Sequence, residues 1–236
     1  MYKKKIVKGT KFIMQEAGSL KCSASLPETT GNADICRSVI VYYLMSHKHY
    51  IIHKPFGYIS QFVTNVKKKK LLGELDNFPE GTMAIGRLDE HSEGLLLLTT
   101  DGKMSEHVRS KKVEKEYYAQ VDGDITPEAI ELLQQGVEIG FEGIRYVTLP
   151  CRVFKLNSVP DFPARSRKIR DDRHGPTSWV SITLTEGKNR QVRKMTAAAG
   201  FPTLRLVRVR IGNICLQNLQ AGEVKELHTE QLTQLL

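Results

Sequence analysis

The sequence lacks a long apolar run, and this absence excludes several classes of protein. A helix that spans a bilayer needs ~20 consecutive apolar residues, and no stretch of the 236 residues approaches that length. The basic N-terminus has no apolar segment of the kind that defines a secretory signal, although a basic start can imitate a transit peptide. We therefore expect no membrane-spanning segment and a cytoplasmic location.

Cysteine is also scarce, and no sequence pattern pairs it. The four cysteines form no Cys-x-x-Cys pair, and no histidine lies at metal-ligand spacing from them: Cys22, Cys36, Cys151 and Cys215. The glycine fingerprint of dinucleotide-binding proteins and the P-loop are absent too. These absences predict reduced thiols in a cytosolic protein and no metal site.

Acidic residues are too few to balance the basic ones. Lys and Arg number 35 against 26 Asp and Glu, so the net charge is +9. Such an excess indicates a partner with many negative charges, either nucleic acid or an anionic membrane surface. Nucleic acid is the stronger choice because no membrane span is present. The densest basic stretch runs from Lys188 to Arg210, with seven basic residues and no acid.

Two further segments are basic and have little apolar patterning. Residues 1–48 begin with six lysines up to Lys21 that face one acid, Glu16. This N-terminal extension is predicted to be a poorly ordered tail, with an arm that touches phosphates as the alternative. Residues 157–178 form a loop of a length that is either functional or disordered. The arginines in that loop favour a nucleic-acid contact.

Short elements of both kinds alternate along the rest of the chain. Strand patterns lie at 50–54, 95–98, 115–121, 179–184 and 204–211, and the last one slips by one residue at Leu206–Val207, as at a β-bulge. A helix begins at Thr126-Pro127-Glu128, and a second helix, capped by Asn189, runs to Ala199. The order of these elements predicts an α+β fold with a mixed or antiparallel sheet.

The stretch from Gly86 to Gly102 contains the leading catalytic candidate. Asp89 lies in a polar, glycine-bracketed loop that leads directly into the apolar strand of Leu95 to Leu98. A carboxylate there is costly to desolvate unless a cation pairs with it. Arg193 is a candidate for that cation, and Tyr117 could stack on a base or relay a proton. Each has a simpler interpretation, namely a cap for Asp89, a core residue for Tyr117 and a solvated charge for Arg193.

Three motifs resemble those of a known enzyme family, and they occur in order and at fitting spacing between about residues 50 and 226. The motifs are Gly86-Arg87-Leu88-Asp89-x-x-Ser92-x-Gly94-Leu95-Leu96, Lys115-Glu116-Tyr117, and Glu186 to Met195. Together they resemble the pseudouridine synthases, in the RsuA branch that includes ribosomal RNA enzymes. The segments around Pro150, 176–179 and 200–206 resemble the members that modify large-subunit ribosomal RNA.

The resemblance implies a reaction, a fold and roles for residues. A uridine in RNA would be isomerised to pseudouridine without cofactor or metal, on a mixed, mainly antiparallel sheet with two subdomains around a central cleft. Asp89 would be the nucleophile, Tyr117 would stack on the flipped base, Arg193 would pair with Asp89, and Arg87 would help to extrude the base. The residues predicted to contact RNA are Arg87, Arg165, Arg167, Lys168, Lys188, Arg190 and Arg205.

The resemblance also frames the domain organisation and the alternatives. Most of the branch carries an N-terminal RNA-binding module of the ribosomal S4 type, which residues 1–48 do not resemble. Residues 49–236 would then form a catalytic domain that acts as a monomer on ribosomal RNA. One alternative is a non-catalytic RNA-binding or ribosome-assembly factor on the same fold. A second alternative is a pseudouridine synthase that acts on another RNA, such as tRNA.

Overall fold

A computed structural model describes residues 47–110, 113–141, 143–169, 172–228 and 230–231, and all of these belong to one compact unit. Apart from His47 and Lys48, the predicted N-terminal extension lies outside the described residues, as do Cys22 and Cys36. The elements in chain order are β1 (His49–Lys54), β2 (Tyr58–Ile59), β3 (Lys70–Leu71), β4 (Met83–Ile85), β5 (Glu93–Thr99), α1 (Gly102–Ser110), β6 (Lys115–Asp122), α2 (Pro127–Gln135), β7 (Glu138–Phe141), β8 (Ile144–Val147), β9 (Arg152–Lys155), β10 (Thr177–Leu184), α3 (Gln191–Ala198), β11 (Thr203–Ile211), β12 (Ile214–Cys215) and β13 (Val224–Leu227).

A mixed sheet of nine strands organises the chain. Its order is β13-β1-β5-β11-β6-β10-β9, with β4 added to β5 and β12 added to β11. Every pairing in this sheet is antiparallel except that of β5 with β11. The α+β fold with a mixed, mainly antiparallel sheet is therefore confirmed.

The parallel contact between β5 and β11 is short and divides the sheet into two halves. It consists of two residue pairs, Val207 with Glu93 and Arg208 with Gly94. Gly94 has φ 102°, and a Cβ atom there would lie 2.3 Å from the carbonyl oxygen of Arg208. Only glycine permits this approach. Both halves belong to one compact unit, and the two subdomains around a central cleft stay a prediction.

The apolar run of β5 is buried on both faces of the sheet. Leu95 and Leu97 pack into a cluster with α1 and β11, whereas Leu96 and Leu98 face a second cluster with Ile52. A third cluster lies in the other half of the sheet, between β6, β10, α2 and α3. A strand covered on both faces is continuously apolar, which explains why the run lacks alternation.

Two local predictions about the segment after β10 were wrong. Asn189 does not cap α3, because Arg190 takes the N-cap position and the Gln191 side chain accepts the Lys188 N–H at 2.9 Å instead. The irregularities of β11 lie between Thr203 and Arg205 and between Arg208 and Arg210, on either side of the predicted bulge. Leu206 and Val207 are both buried because they belong to clusters on opposite faces of the sheet.

The helices in the described part of the chain are short. Each of the three α-helices has at most nine residues, and no described helix is long and apolar enough to cross a membrane.

Candidate active site

Asp89 lies in a tight turn that leads into β5. The N–H of Ser92 donates to the carbonyl oxygen of Asp89 at 3.0 Å. The preceding residue, Leu88, is buried and bonded twice to Ser60, whose Oγ donates to the Leu88 carbonyl at 2.8 Å and accepts the Leu88 N–H at 2.9 Å. The Asp89 side chain keeps 29% of its surface exposed. The turn therefore fixes the backbone of Asp89 and leaves its carboxylate accessible.

A buried lysine supports this turn. The Nζ of Lys54 donates to the carbonyl oxygens of Pro55 at 2.9 Å and of Tyr58 at 2.6 Å, and lies 3.5 Å from that of Glu90. Burial lowers the pKa of Lys54 to about 7, although the carboxylates of Glu93 and Asp89 act in the opposite direction. The sequence gives no signal for this role, because a lysine between a strand and a Pro-x-Gly turn is usually exposed.

Among the described residues, Arg190 is the cation that pairs with Asp89. Its Nη1 lies 3.7 Å from the Asp89 Oδ2. The backbone of Arg190 has φ 53°, in the left-handed region that residues other than glycine rarely adopt. Such a conformation persists where surrounding contacts impose it, and it is frequent at functional sites. The conformation directs the chain into α3 while the side chain reaches the turn of Asp89.

Arg193 holds the same turn from another direction. Its Nη2 donates to the His91 carbonyl at 2.7 Å, and its Nη1 donates to the Thr203 carbonyl at 3.2 Å. Burial lowers the pKa of Arg193, Arg190 lowers it further and Asp89 raises it. Arg193 is thus within electrostatic reach of Asp89 but bonds the backbone of the turn. The ion pair that the resemblance implies between Arg193 and Asp89 is not formed in this structure.

Tyr117 lies on β6. It belongs to the row of residues that crosses the β5–β11 contact, the seam between the two halves of the sheet. It is paired with Arg208 of β11, which is in turn paired with Gly94 of β5. Two strand spacings separate Tyr117 from Gly94, which is on the order of 10 Å. The ring is partly buried against the cluster of Ala119 and Val121, and the Arg208 Cζ lies 6.0 Å from its centroid.

The basic loop of residues 157–178 reaches the turn of Asp89 through Arg165. The Arg165 Cζ lies 4.2 Å from the centroid of Phe56, and the Phe56 ring stacks on His91 at 5.2 Å. Arg167 and Lys168 are exposed, as is Arg87 two residues before Asp89. Exposed cations therefore lie on the Asp89 loop and on a loop that packs against it. Phe56, which joins the two loops, has no distinguishing signal in the sequence.

The third motif is held by Glu186. The Glu186 carboxylate accepts bonds from the Tyr146 hydroxyl at 2.6 Å and from the Leu149 N–H at 2.9 Å, and also from the Gln191 side chain. The Lys188 Nζ lies 4.8 Å from the centroid of the Tyr146 ring. These contacts tie the loop that carries Arg190 to the β7–β8 hairpin, an element the sequence analysis did not predict.

Arg205, one of the residues predicted to contact RNA, forms a buried ion pair in the structure. Its guanidinium donates to both carboxylate oxygens of Glu93, at 3.1 and 2.9 Å, and to the Pro163 carbonyl at 2.9 Å. The Arg205 side chain is 10% exposed and that of Glu93 is 4% exposed. Its Nε and Nη2 donors are engaged within the fold, and burial leaves little of the guanidinium surface for a phosphate. Arg205 instead joins the two halves of the sheet next to the turn of Asp89.

Possible ligands for a metal are dispersed. Among the described residues, no three His, Cys, Asp or Glu side chains lie together as a metal would require. Cys151 and Cys215 are free thiols.

The site thus combines a carboxylate held before a central strand, two arginines at its turn and an aromatic ring two strands away. The sequence profile of the RNA pseudouridylate synthase family matches residues 48–198. The chain belongs to the pseudouridine synthase family.

The most similar relatives agree on a narrower group within that family. The chain is 41% identical over 187 residues to "Ribosomal large subunit pseudouridine synthase E" of Vibrio parahaemolyticus. The aligned region covers 78% of this chain and 75% of the relative. It is 40% identical over 176 residues to the protein of the same name in Xanthomonas campestris, covering 73% of this chain and 91% of that one. A solved structure described as a pseudouridylate synthase superposes with a TM-score of 0.64 at 25% identity, covering 80% of this chain and 74% of the other.

Proposed function

We propose that this protein isomerises a specific uridine to pseudouridine in large-subunit ribosomal RNA. In this reaction the N1–C1′ glycosidic bond breaks, a C5–C1′ bond forms, the hydrogen leaves C5 and N1 gains a proton. The observation that carries the proposal is the position of Asp89, a partly exposed carboxylate on a backbone held by Ser60, Ser92 and Arg193. The names of the relatives support ribosomal RNA of the large subunit as the substrate.

The roles of the neighbouring residues are those that the family resemblance implies, and the positions of Arg190 and Arg193 support them. Asp89 acts as the nucleophile, and Arg190 and Arg193 supply positive charge at its turn. Tyr117 stacks on the flipped base, and Arg87 enters the RNA helix where the base has left. Flipping a base costs ~a few kcal/mol, and stacking on an aromatic ring returns roughly 1–3 kcal/mol.

Exposed cations hold the RNA. Arg87 and Arg190 are exposed at the turn of Asp89, and Arg167 and Lys168 are exposed on the loop that Arg165 joins to Phe56. Lys188 contributes charge beside Tyr146. Residues 49–236 form the catalytic domain, which works as a monomer in the cytoplasm and needs no cofactor, and residues 1–48 are a basic extension to it.

The test is release of tritium from RNA labelled at C5 of uridine. We expect release from large-subunit ribosomal RNA with the wild-type protein and none with Asp89→Asn, whose RNA affinity stays within about threefold of wild type because one carboxylate adds little to a phosphate-dominated interface. The matched control is Asp124→Asn, which alters a surface aspartate that pairs with Lys155. This variant should release tritium like the wild-type protein.

Two other results would identify the alternatives. RNA binding without tritium release in the wild-type protein overturns the enzymatic proposal in favour of a non-catalytic binding factor. Tritium release from tRNA, with none from ribosomal RNA, would show that the enzyme acts on tRNA instead.

A further inference from the structure

The chain between β1 and β3 is bonded to both residues that flank Asp89. The Gly57 N–H donates to the Glu90 carbonyl at 2.8 Å. Ser60 bonds both backbone groups of Leu88, and the Lys69 Nζ pairs with the Glu90 carboxylate at 2.5 Å. The lysine loop, Lys67–Lys70, therefore belongs to a segment that is bonded to the turn of the candidate nucleophile.

Most of the charge in the lysine loop is available to a ligand. Lys69 is paired with Glu90, and its hydrogen bond lowers the pKa of the Glu90 carboxyl. The Lys70 Nζ lies 5.4 Å from the centroid of Tyr58. Lys67 and Lys68 are exposed, and none of the described carboxylates forms a salt bridge with either of them. The chain reverses at Lys68, where φ is 62°, so the loop presents its charges at a bend.

A run of exposed lysines is ordinarily a solvated surface. This run differs because the bonds to Leu88 and Glu90 hold its base against the turn of Asp89. Charges act over a Debye length of roughly 8–10 Å at moderate salt, and Glu90 is the chain neighbour of Asp89. An RNA strand with its uridine at Asp89 would therefore lie beside Glu90, the residue that Lys69 of the loop contacts.

We propose that the lysine loop is a phosphate-binding arm for the RNA backbone next to the target uridine, separate from the basic loop around Arg167 and Lys168. The proposal rests on the proposed function, because it takes RNA as the ligand of the Asp89 site. The Lys69–Glu90 pair sets the position of the arm, and Lys67 and Lys68 make the contacts.

Salt dependence of RNA binding tests the arm. The variant Lys67→Gln/Lys68→Asn removes two charges and keeps a side chain that tolerates the left-handed conformation at position 68. The slope of log affinity against log salt for a ribosomal RNA fragment should fall by roughly 1.4–1.8, with affinity near 0.1 M salt weakened at least about tenfold. The control, Lys155→Gln/Lys225→Gln, removes two charges elsewhere on the surface and should bind like wild type.

A second measurement uses the unaltered protein. Lysine acetylation followed by mass spectrometry should show Lys67 and Lys68 protected when the RNA fragment is added, whereas Lys155 and Lys225 remain reactive. This readout is independent of the folding of any variant.

The outcomes separate the arm from the proposed function. An unchanged slope in the loop variant, an equal loss in the control, or unprotected Lys67 and Lys68 would overturn the arm. If that happens while the wild-type protein still releases tritium from ribosomal RNA, the proposed function stands. If the wild-type protein releases no tritium and yet the arm is protected by RNA, the proposed function fails and the arm remains an RNA-binding surface.

Discussion

Asp89 faces Arg190, whose Nη1 lies 3.7 Å from the Asp89 carboxylate, and both side chains are partly exposed. An exposed pair of this kind contributes only ~0–1 kcal/mol, so an RNA phosphate can draw Arg190 away at little cost. Arg193 is more buried and stays bonded to the turn through the His91 carbonyl. Arg190 therefore pairs with the carboxylate itself, whereas Arg193 holds the backbone of its turn.

We predict different kinetic effects for Arg190→Gln and Arg193→Gln. Arg190→Gln should weaken RNA binding about fivefold to tenfold and change the single-turnover rate at saturating RNA less than about threefold, as expected for a lost contact to phosphate. Arg193→Gln should lower that rate at least about 100-fold, because it removes the charge and the bond that position the turn. Rapid-quench measurement of tritium release distinguishes them, and the reverse pattern would make Arg190 the functional partner of Asp89.

Substitutions of Tyr117 separate stacking from proton transfer. Tyr117→Phe keeps the ring on β6 and should retain a rate within about threefold of wild type if the ring acts by stacking. Tyr117→Ala should lose roughly 1–3 kcal/mol of base binding, seen as a fivefold to 150-fold drop in kcat/KM for RNA. A Phe variant as slow as the Ala variant would instead assign the hydroxyl a proton-relay role.

The close approach of β5 and β11 predicts a sharp effect at Gly94. An added Cβ would lie 2.3 Å from the Arg208 carbonyl oxygen and 2.7 Å from its nitrogen, at φ 102°. Gly94→Ala should therefore destabilise the fold by at least ~3 kcal/mol in urea unfolding, since backbone at the seam cannot move aside. Gly140→Ala is the control, because nothing lies within 4 Å of its added Cβ and its φ is not positive. Similar midpoints for the two variants would contradict the tight seam.

The pKa of Lys54 predicts a pH dependence of stability. In the folded protein the pKa falls from 10.5 to about 7 because the ammonium is buried. Between these values the unfolded chain holds a proton that the folded protein has released, so the contribution of Lys54 to stability rises with pH from about 7 to about 10. The free energy of unfolding of wild type minus that of Lys54→Met should increase across this window by up to a few kcal/mol. A flat difference would mean that the folded protein keeps Lys54 charged throughout.

The sequence by itself determined the fold class, the family motifs and Asp89 as the candidate nucleophile. These features depend on local patterns: the continuous apolar run of β5, the Thr126-Pro127 start of α2 and the spacing of three motifs. The run of leucines in β5 indicated a buried strand, and the structure adds that both of its faces are covered.

Only the tertiary structure decided which charges are free and which are buried. Arg205 and Arg208 interrupt an apolar strand, and Arg205 was predicted to contact RNA. In the structure Arg205 donates to the Glu93 carboxylate and Arg208 donates to the Leu95 carbonyl, both on β5. Lys54 is buried although its neighbours in sequence form a turn. The pattern of a single sequence does not show which residues become partners in the fold, and those partners decide whether a cation binds RNA or holds the fold. The same physical reason places Arg190, rather than Arg193, opposite Asp89 in this structure.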